Sequence, residues 1–573
     1  MRRLFLLLLL LLAGEGRGLA GAPGIQWQPW SQAVFARAAK EHRFILLDLE
    51  AVWCHWCHVM DARTYSDPKV ISLVQSRYIA VRVDQDSRPD LANRYEDYGW
   101  PATVVFDAKG GEIVKRQGFI QPGEMAAMLQ AIIDDPTPGP SVRAEPALAY
   151  SRDAVLTPAM ESALRKTLDA GYDHALGGWA GPHKFLDWDN AEYCMEAGED
   201  AARGMARQTL AAQRQLIDPV WGGVYQYSAE GDWKHPHFEK IMQMQAENLR
   251  IYAEAYSLWK DPAWLQAARD IHRYVQEFLR SPDGAFYTSQ DADLVPGSHS
   301  AEYFAMDDAA RRKSGVPRID RHVYARENGW YIEALARLYA ATGDPGYLRE
   351  AEQAAGVILR TRALPGGGFR HGDGPLCLGD TLYMGRAFLS LHAATGDRQW
   401  LADAEAAARF LSANFQDKSS AGFVTAKASI IPSKPEFDEN ADLARFANLL
   451  SRYTGNADER QMAGRALRFL VTPQVAAHRQ SYVGGVLLAG REFSVEPLHI
   501  VVIGPKGDPA ARSLFLAGLE YPRVYKQIEW KDRDGSYPDL PYAAAYICTT
   551  TTCSSPISKP GRVSTEIERL TAR

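Results

Sequence analysis

Phe44-Ile45-Leu46-Leu47-Asp48-Leu49-Glu50-Ala51-Val52-Trp53-Cys54-His55-Trp56-Cys57-His58 is an apolar run of strand length that ends in two cysteines separated by two residues. The segment after it, Val59 to Arg77, reads as a broken helix. Such a strand–turn–helix sets Cys54 at the first helical turn, where unpaired N–H groups and the helix dipole favour a thiolate. A lowered thiol pKa makes a cysteine a nucleophile instead of a small core residue. His55 lies between the two sulfurs; protonated, it stabilises the thiolate further and makes the disulfide easier to reduce. The pair is therefore expected to be on the oxidising side for a Cys-x-x-Cys centre.

Upstream, Ser31 to Lys40 predicts an amphipathic helix with Ser31 as its N-cap. Downstream, Tyr78 to Asp84 reads as a buried strand. Gly99-Trp100-Pro101-Ala102-Thr103-Val104-Val105-Phe106-Asp107 predicts a second, Lys109 to Glu112 a hairpin turn and Ile113 to Lys115 a third. Glu124 to Ile133 closes the segment as a helix.

This order resembles the thioredoxin fold across residues 24–137. The resemblance rests on the Cys-x-x-Cys, on Asp48 six residues before Cys54, on Trp53 directly before the nucleophile, and on Pro101 at the start of a strand. It implies Cys54 as nucleophile, Cys57 as resolving cysteine and Asp48 as a buried acid assisting proton transfer. Pro101 then stands where the family has a cis-proline facing the disulfide, a feature that needs this residue type. Two other chemistries fit the motif. Cys54-His55-Trp56-Cys57-His58 is also C-x-x-C-H, the attachment signature of c-type haem. Haem needs a helical pocket and usually a distal ligand, whereas a buried strand feeding the motif fits thioredoxin. Zinc held by Cys54, Cys57 and a histidine normally takes four ligands, and no second close cysteine pair lies in this segment. No cofactor and no metal are therefore expected, and His58 is read as a helix-surface or partner-facing residue.

The N-terminus carries Arg2-Arg3, an unbroken apolar block from Leu4 to Leu12, and small residues up to Ala20. A charged start, a short apolar core and a small-residue exit predict a secretory signal over residues 1–20, hence export to the periplasm or medium. The block is about half of the ~20 residues that span a bilayer, so no membrane span is expected after cleavage. The chain has 573 residues, 46% of them hydrophobic and 23% charged, which predicts several domains and argues against wholesale disorder. A net charge of −6 without a long basic run excludes nucleic acid as the expected partner. Six cysteines are sparse for an exported chain of this length. Cys548 and Cys553 are expected to close a local disulfide, with exchange against Cys54–Cys57 as the more speculative alternative; Cys194 and Cys377 are expected to be buried thiols.

Residues 150–490 repeat one logic. Asp261-Pro262-Ala263-Trp264, Asp344-Pro345-Gly346-Tyr347 and Asp397-Arg398-Gln399-Trp400 each place a capping Asp before an aromatic that opens a buried helix face. Gly178-Trp179, Gly222-Gly223-Val224, Gly284-Ala285-Phe286, Gly367-Gly368-Phe369, Gly422-Phe423 and Gly484-Gly485-Val486 punctuate the helices as turns. Six such points predict six helical hairpins, none able to bury its apolar face alone, and six is the number that closes an (α/α)6 toroid. The stretch from Asp261 to Asp344 is longer than that from Asp344 to Asp397, which predicts an insertion around Ser289 to Asp320. Three polar clusters stand out: His183, then His235, His237 and Glu239, then Asp291 and Asp293. Together they are expected to line a toroid mouth suited to acid–base chemistry on sugars.

Over nearly the whole mature chain, the sequence resembles the spermatogenesis-associated protein 20 family. The shared motifs stand at Cys54 to Met60, Arg88-Pro89-Asp90, His235 to Lys240, Gly284 to Asp293 and Cys548 to Cys553. The resemblance implies a thioredoxin-like domain joined to a six-hairpin toroid similar to glycosidases and sugar 2-epimerases. Departures fall on the toroid: Gln243-Met244-Gln245 replaces a Tyr-Asp-Asn element, Asp320-Arg321-His322 replaces Asp-Asp-Lys, and Glu327 replaces a Trp before Asn328-Gly329. Carboxylates that a sugar enzyme needs are thus missing, and the toroid is expected to recruit or position a protein thiol or disulfide partner, with a glycan as second choice. Residues 491–573 predict a small α/β piece: a strand at Leu498 to Gly504, a helix at Asp508 to Leu519 and a strand at Ala543 to Cys548.

Overall fold

The computed structural model describes residues 24–142, 148–179, 181–417, 420–549 and 552–571. The expected export signal and its exit at Ala20 lie outside the described residues. No helix among the described residues is long and apolar enough to cross a membrane.

The N-terminal unit is a four-stranded sheet in the order β2-β1-β3-β4, made of β1 Phe44–Glu50, β2 Tyr78–Asp84, β3 Ala102–Phe106 and β4 Glu112–Gln117. β1 runs parallel to β2 and antiparallel to β3, and β3 pairs antiparallel with β4. Helices α1 Gln32–Glu41, α2 His55–Arg63, α3 Pro68–Arg77, α4 Pro89–Tyr95 and α5 Pro122–Asp134 cover it. The apolar run of β1 is continuous because both its faces are buried. Ile45, Leu47 and Leu49 meet Trp30 and Phe35, while Leu46 meets Met60, Val74 and Leu129. The broken helix is α2 and α3, divided at Thr64 to Asp67, where the Asp67 side chain caps α3. Ser31 precedes α1 as expected but makes no side-chain capping bond. β4 is longer than the sequence predicted at both ends: the Asp107 side chain gathers the N–H groups of Lys109 and Gly111 in the turn before it, and Arg116 and Gln117 continue the pairing with Thr103 and Ala102 of β3.

The toroid follows: α6 Pro158–Ala170, α7 Trp188–Glu196, α8 Asp200–Gln213, α9 Met242–Trp259, α10 Pro262–Tyr274, α13 Ala325–Thr342, α14 Pro345–Arg362, α15 Leu378–Thr395, α16 Arg398–Phe415, α17 Phe437–Thr454, α18 Ala457–Leu470 and α20 Gly484–Ser494. Short helices α11 Ala301–Phe304, α12 Asp308–Ser314 and α19 Pro473–His478 lie in the connections. α7 packs on α9, α9 on α13, α13 on α15, α15 on α17, α17 on α20, and α20 returns to α7. That closes an inner ring of six; α8, α10, α14, α16, α18 and α6 back it from outside. Asp261, Asp344 and Asp397 cap as read, each accepting a backbone N–H two residues on, and Asn456 does the same for α18. Five of the glycine turns form small antiparallel bridges, such as Arg280 with Phe286 and Ala363 with Phe369. The sixth differs from the expectation. Gly484 and Gly485 open α20 instead of a turn, because a Cβ on Gly484 would sit 2.3 Å from the Asp189 backbone of α7. These glycines close the ring by letting two helices meet.

Short strands edge the loops that lead into the inner helices: β5 Tyr227–Ser228 with β6 Pro236–His237, and β10 Leu376–Cys377 with β11 Ala426–Lys427. β7 Lys240–Ile241, β8 Ser289–Gln290 and β9 Ile319–Asp320 form a three-stranded patch that frames the predicted insertion. These loops face the thioredoxin-like unit. Asn93 donates to Thr425, Ser429 to Asp90, and Ile431 enters the core beneath β1. At the far end sits the C-terminal unit, with β12 Leu498–Ile503 between β13 Lys526–Lys531 and β14 Ala544–Cys548, backed by α21 Pro509–Glu520 and α22 Val563–Thr571. Its core takes in Tyr339 and Ala394 from the last turns of α13 and α15. β13 and α22 were missed by the sequence reading, which found only the flanking strands and α21. Both ends of the ring are therefore covered.

Candidate functional site

β1 delivers the chain to the first turn of α2, and Cys54 is the N-cap residue of that helix. Its sulfur accepts the Cys57 N–H at 3.1 Å, and the two sulfurs form a disulfide. Cys54 is 3% and Cys57 4% exposed, packed with Ala51, Trp53, Trp100 and the toroid residue Ile241. The Trp100–Pro101 peptide is cis. On the open side of the motif stands Trp56, 42% exposed and stacked on Phe119.

The closed side is built by the toroid. After β8, Asp291-Ala292-Asp293 runs along the motif. The Ala292 N–H donates to the Trp53 carbonyl at 3.2 Å. Asp293 holds His55 Nδ1 at 2.8 Å, and Asp291 holds His58 Nε2 at 2.9 Å. Both aspartates are buried, and Asp291 and Gly297 fix Asp293 through the Asp293 and Gly297 N–H groups. His58 is thus no surface residue, as the sequence reading had it. Burial alone would lower its pKa, but the Asp291 hydrogen bond and charge outweigh that and raise it. Glu239, between β6 and β7, brings Oε1 to 3.5 Å from the His55 N–H, while its buried Oε2 has no hydrogen-bond partner. Burial pushes the Glu239 carboxyl up to about 7.

The remaining sequence candidates are distributed differently from the expected sugar site. His237 stacks on Tyr227 at 4.2 Å, and burial with neighbouring histidines pulls its pKa down to about 4. His183 lies against the same tyrosine, with ring centres 4.7 Å apart. His235 is turned outward and paired to Asp232. Asp291, Asp293 and Glu239 therefore meet the redox motif and do not line an open mouth; their spacing along the chain gave no hint of a partner more than 180 residues away.

Asp48 is buried beneath the strand, where burial raises its pKa. Arg82 reaches its Oδ2 at 2.9 Å and also binds Glu50 and Asp61, so the acid is tied into an ion-pair cluster. Sequence reasoning missed a second contact layer. The Trp53 indole donates to Asp86 at 2.8 Å, and His371 Nε2 meets the Asp86 carbonyl at 2.6 Å while Nδ1 meets Asp380 at 3.0 Å. A carbonyl only accepts, so both ring nitrogens face acceptors and the imidazole is held as a cation; Asp380 accordingly raises its pKa against the pull of burial. The signal available was Arg88-Pro89-Asp90 nearby, which marked the loop but not its partner.

Among the described residues, three groups bring donor atoms within 4.8 Å of one another: His58, Asp291 and Asp293; Asp48, Glu50 and Asp61; and Asp84, Asp86 and Asp320. The aspartates of the first are already engaged by His55 and His58, and the second by Arg82. The third is an all-oxygen set of the type suited to Ca²⁺ or Mg²⁺. Cys548 and Cys553 form a disulfide at the end of β14, in the unit at the opposite end of the ring from Cys54. Cys194 and Cys377 are free and buried.

A family model of thioredoxin DsbH type, described as a protein of unknown function, DUF255, matches residues 20–129. The chain's homologues include spermatogenesis-associated protein 20 of Mus musculus, 27% identical over 311 residues, which is 48% of this chain and 39% of the mouse protein. The match thus spans well under half the length of that relative. The thiol:disulfide interchange protein DsbD of Campylobacter jejuni strain RM1221 is 28% identical over 88 residues, 15% of this chain and 16% of that protein. Among solved structures, cellobiose 2-epimerase from Spirochaeta thermophila aligns with a TM-score of 0.44 at 15% identity, covering 59% of this chain and 98% of that one. The architecture is a thioredoxin-like α/β unit followed by a helical toroid.

Proposed function

We propose that the protein is a thiol–disulfide oxidoreductase whose redox centre is assembled from both units, the cysteines from the thioredoxin-like unit and the enclosing wall from the toroid. The observation that carries this is the Cys54–Cys57 disulfide at the N-terminus of α2, with each histidine of the motif held by a toroid aspartate. On reduction, the first-turn N–H groups and the His55 side favour a Cys54 thiolate. Cys54 attacks a substrate disulfide, and Cys57 resolves the mixed disulfide, releasing a substrate dithiol. Run backwards, the same steps oxidise a dithiol. Trp56 and Phe119 form the face open to a protein partner. The apolar block after Arg2-Arg3 supports work outside the cytosol, where such exchange is needed.

The test is trapping. Cys57→Ser should hold partners on Cys54 as mixed disulfides that reductant releases, and Cys54→Ser should hold none. Capture by neither variant, together with no Cys54-dependent reduction of insulin, would reject the reading.

A carbohydrate role for the toroid is the second reading. It rests on Asp189 in the first turn of α7 and Glu436 at the N-cap of α17, whose carboxyls burial raises toward proton-donating range. Sugar turnover that survives Cys54→Ser and is lost in Asp189→Asn would establish it.

A further inference from the structure

Thiol–disulfide exchange moves a proton as well as electrons, and Asp48 is poorly placed to carry it. Its Oδ2 is bonded to Arg82, whose guanidinium also holds Glu50 and Asp61. Asp48 Oδ1 and Glu239 Oε2 both lack a hydrogen-bond partner, but only Glu239 stands clear of the Arg82 cluster and against the helix end that carries the sulfurs. Glu239 is 3% exposed, its Oε1 faces the N–H of His55, the residue after Cys54, and its Oε2 is buried without a hydrogen-bond partner, with His237 Nδ1 at 3.9 Å. Ile241, two residues on, packs directly on the disulfide, so the strand carrying this acid is anchored at the sulfurs.

We propose that Glu239, supplied by the toroid, is the proton-exchanging group of the Cys54–Cys57 centre. The inference rests on the thiol–disulfide reading above. In the reductive direction the Cys54 thiol gives its proton to the Glu239 carboxylate, and the thiolate attacks a substrate disulfide. A Cys54–substrate S–S bond forms, the substrate S–S bond breaks, and the departing sulfur leaves as a thiolate with the electron pair. Glu239 returns the proton to it. Cys54 is oxidised to the mixed disulfide, one substrate sulfur is reduced to a thiol, and the acid ends as it began.

The surroundings suit that role. The groups facing Glu239 are His55 on α2, Asp293 on the insertion, and Tyr227 and His237 on the β5–β6 hairpin, with His183 and His299 facing His237. Burial raises the carboxyl, the His55 N–H and charge lower it, and Asp293 raises it, leaving it near 7, where it gains and loses a proton readily. A thiolate formed at Cys54 adds like charge at the same helix end and favours the protonated acid.

The experiment compares two disulfides on the reduced full-length chain, counting only the Cys54-dependent rate against Cys54→Ser. Glutathione disulfide leaves as an alkyl thiolate that must be reprotonated; 5,5′-dithiobis(2-nitrobenzoate) leaves as an aryl thiolate that need not be. Glu239→Gln should slow the glutathione reaction by about tenfold or more and erase an inflection near pH 7, while the aryl reaction changes by less than about twofold. Glu239→Asp should restore part of the glutathione rate, which a merely misfolded site would not allow. Equal slowing of both reactions, or an unaltered pH profile in Glu239→Gln, overturns the proposal. Absence of any Cys54-dependent rate in the parent chain overturns the underlying redox reading instead.

Discussion

Two aspartates decide how the histidines of the motif behave. Asp293 is buried and its oxygens meet His55 Nδ1, so the ring turns that nitrogen's N–H toward a carboxylate. Asp293→Asn removes the carboxylate that would stabilise a cationic imidazole next to Cys54. The midpoint of iodoacetamide alkylation of Cys54 against pH should rise by about one unit, the size of a single nearby charge; an unmoved midpoint would show that the helix end alone sets the thiol. His58 allows a second prediction. Its folded pKa lies above the ordinary 6.5. Stability from such a group is fully present below the unfolded value and lost as pH rises through the folded one. Urea unfolding should therefore show wild type losing stability across that window, and Asp291→Asn should lose less there because the stabilising partner is already gone. A loss of the same size in both chains would place the pH dependence elsewhere.

The ring closure makes different demands on different glycines. In α20, a side chain at Gly484 would run into the α7 backbone at 2.3 Å, so Gly484→Ala should destabilise by about 1–3 kcal/mol, the usual cost of overpacking. Gly204 sits on the open face of α8 with nothing within 4 Å, and Gly204→Ala should gain about 0.5–1 kcal/mol. Chemical denaturation of the two variants reads both signs; similar values would mean that the α7–α20 contact yields easily. The same helices show what a chain discloses about itself. Asp261, Asp344 and Asp397 were legible because a cap acts two residues away, and β1 because a doubly buried strand is an apolar run. Gly484 was misread because the turn pattern and the helix-crossing pattern use the same residue, and only the approach of α7 separates them. Asp291 and Asp293 were visible as polar residues, but their partners His58 and His55 lie more than 230 positions away. Proximity of that range is created by folding, so the chemistry went to the wrong unit. His371 carried no local mark at all.

At the scale of the molecule, the toroid's two ends serve separate neighbours. The loops into the inner helices grip the thioredoxin-like unit, and the last turns of α13 and α15 enter the C-terminal core. Cys548–Cys553 is thereby held at the end of the ring away from Cys54–Cys57, which argues for a local clip instead of exchange within one chain. The Cys54–Cys57 disulfide is only 3–4% exposed, so the wall on its toroid side bears on how a protein partner reaches it. On the toroid side the wall is Ile241 with Asp291-Ala292-Asp293, the latter bonded to His58, Trp53 and His55. Loosening it should change access more than chemistry. Chemistry alone scales the rates of all thiol reagents together through the thiolate fraction, whereas access penalises large ones selectively. The ratio of alkylation rates for a bulky maleimide and for iodoacetamide cancels the first effect and reports the second. In Asp291→Asn/Asp293→Asn that ratio should rise several-fold over wild type at every pH, with the near-neutral iodoacetamide rate itself falling because His55 has lost its anion. A ratio that stays constant would mean that partners reach Cys54 along the Trp56 side with the wall in place, and that the toroid tunes the sulfur without gating it.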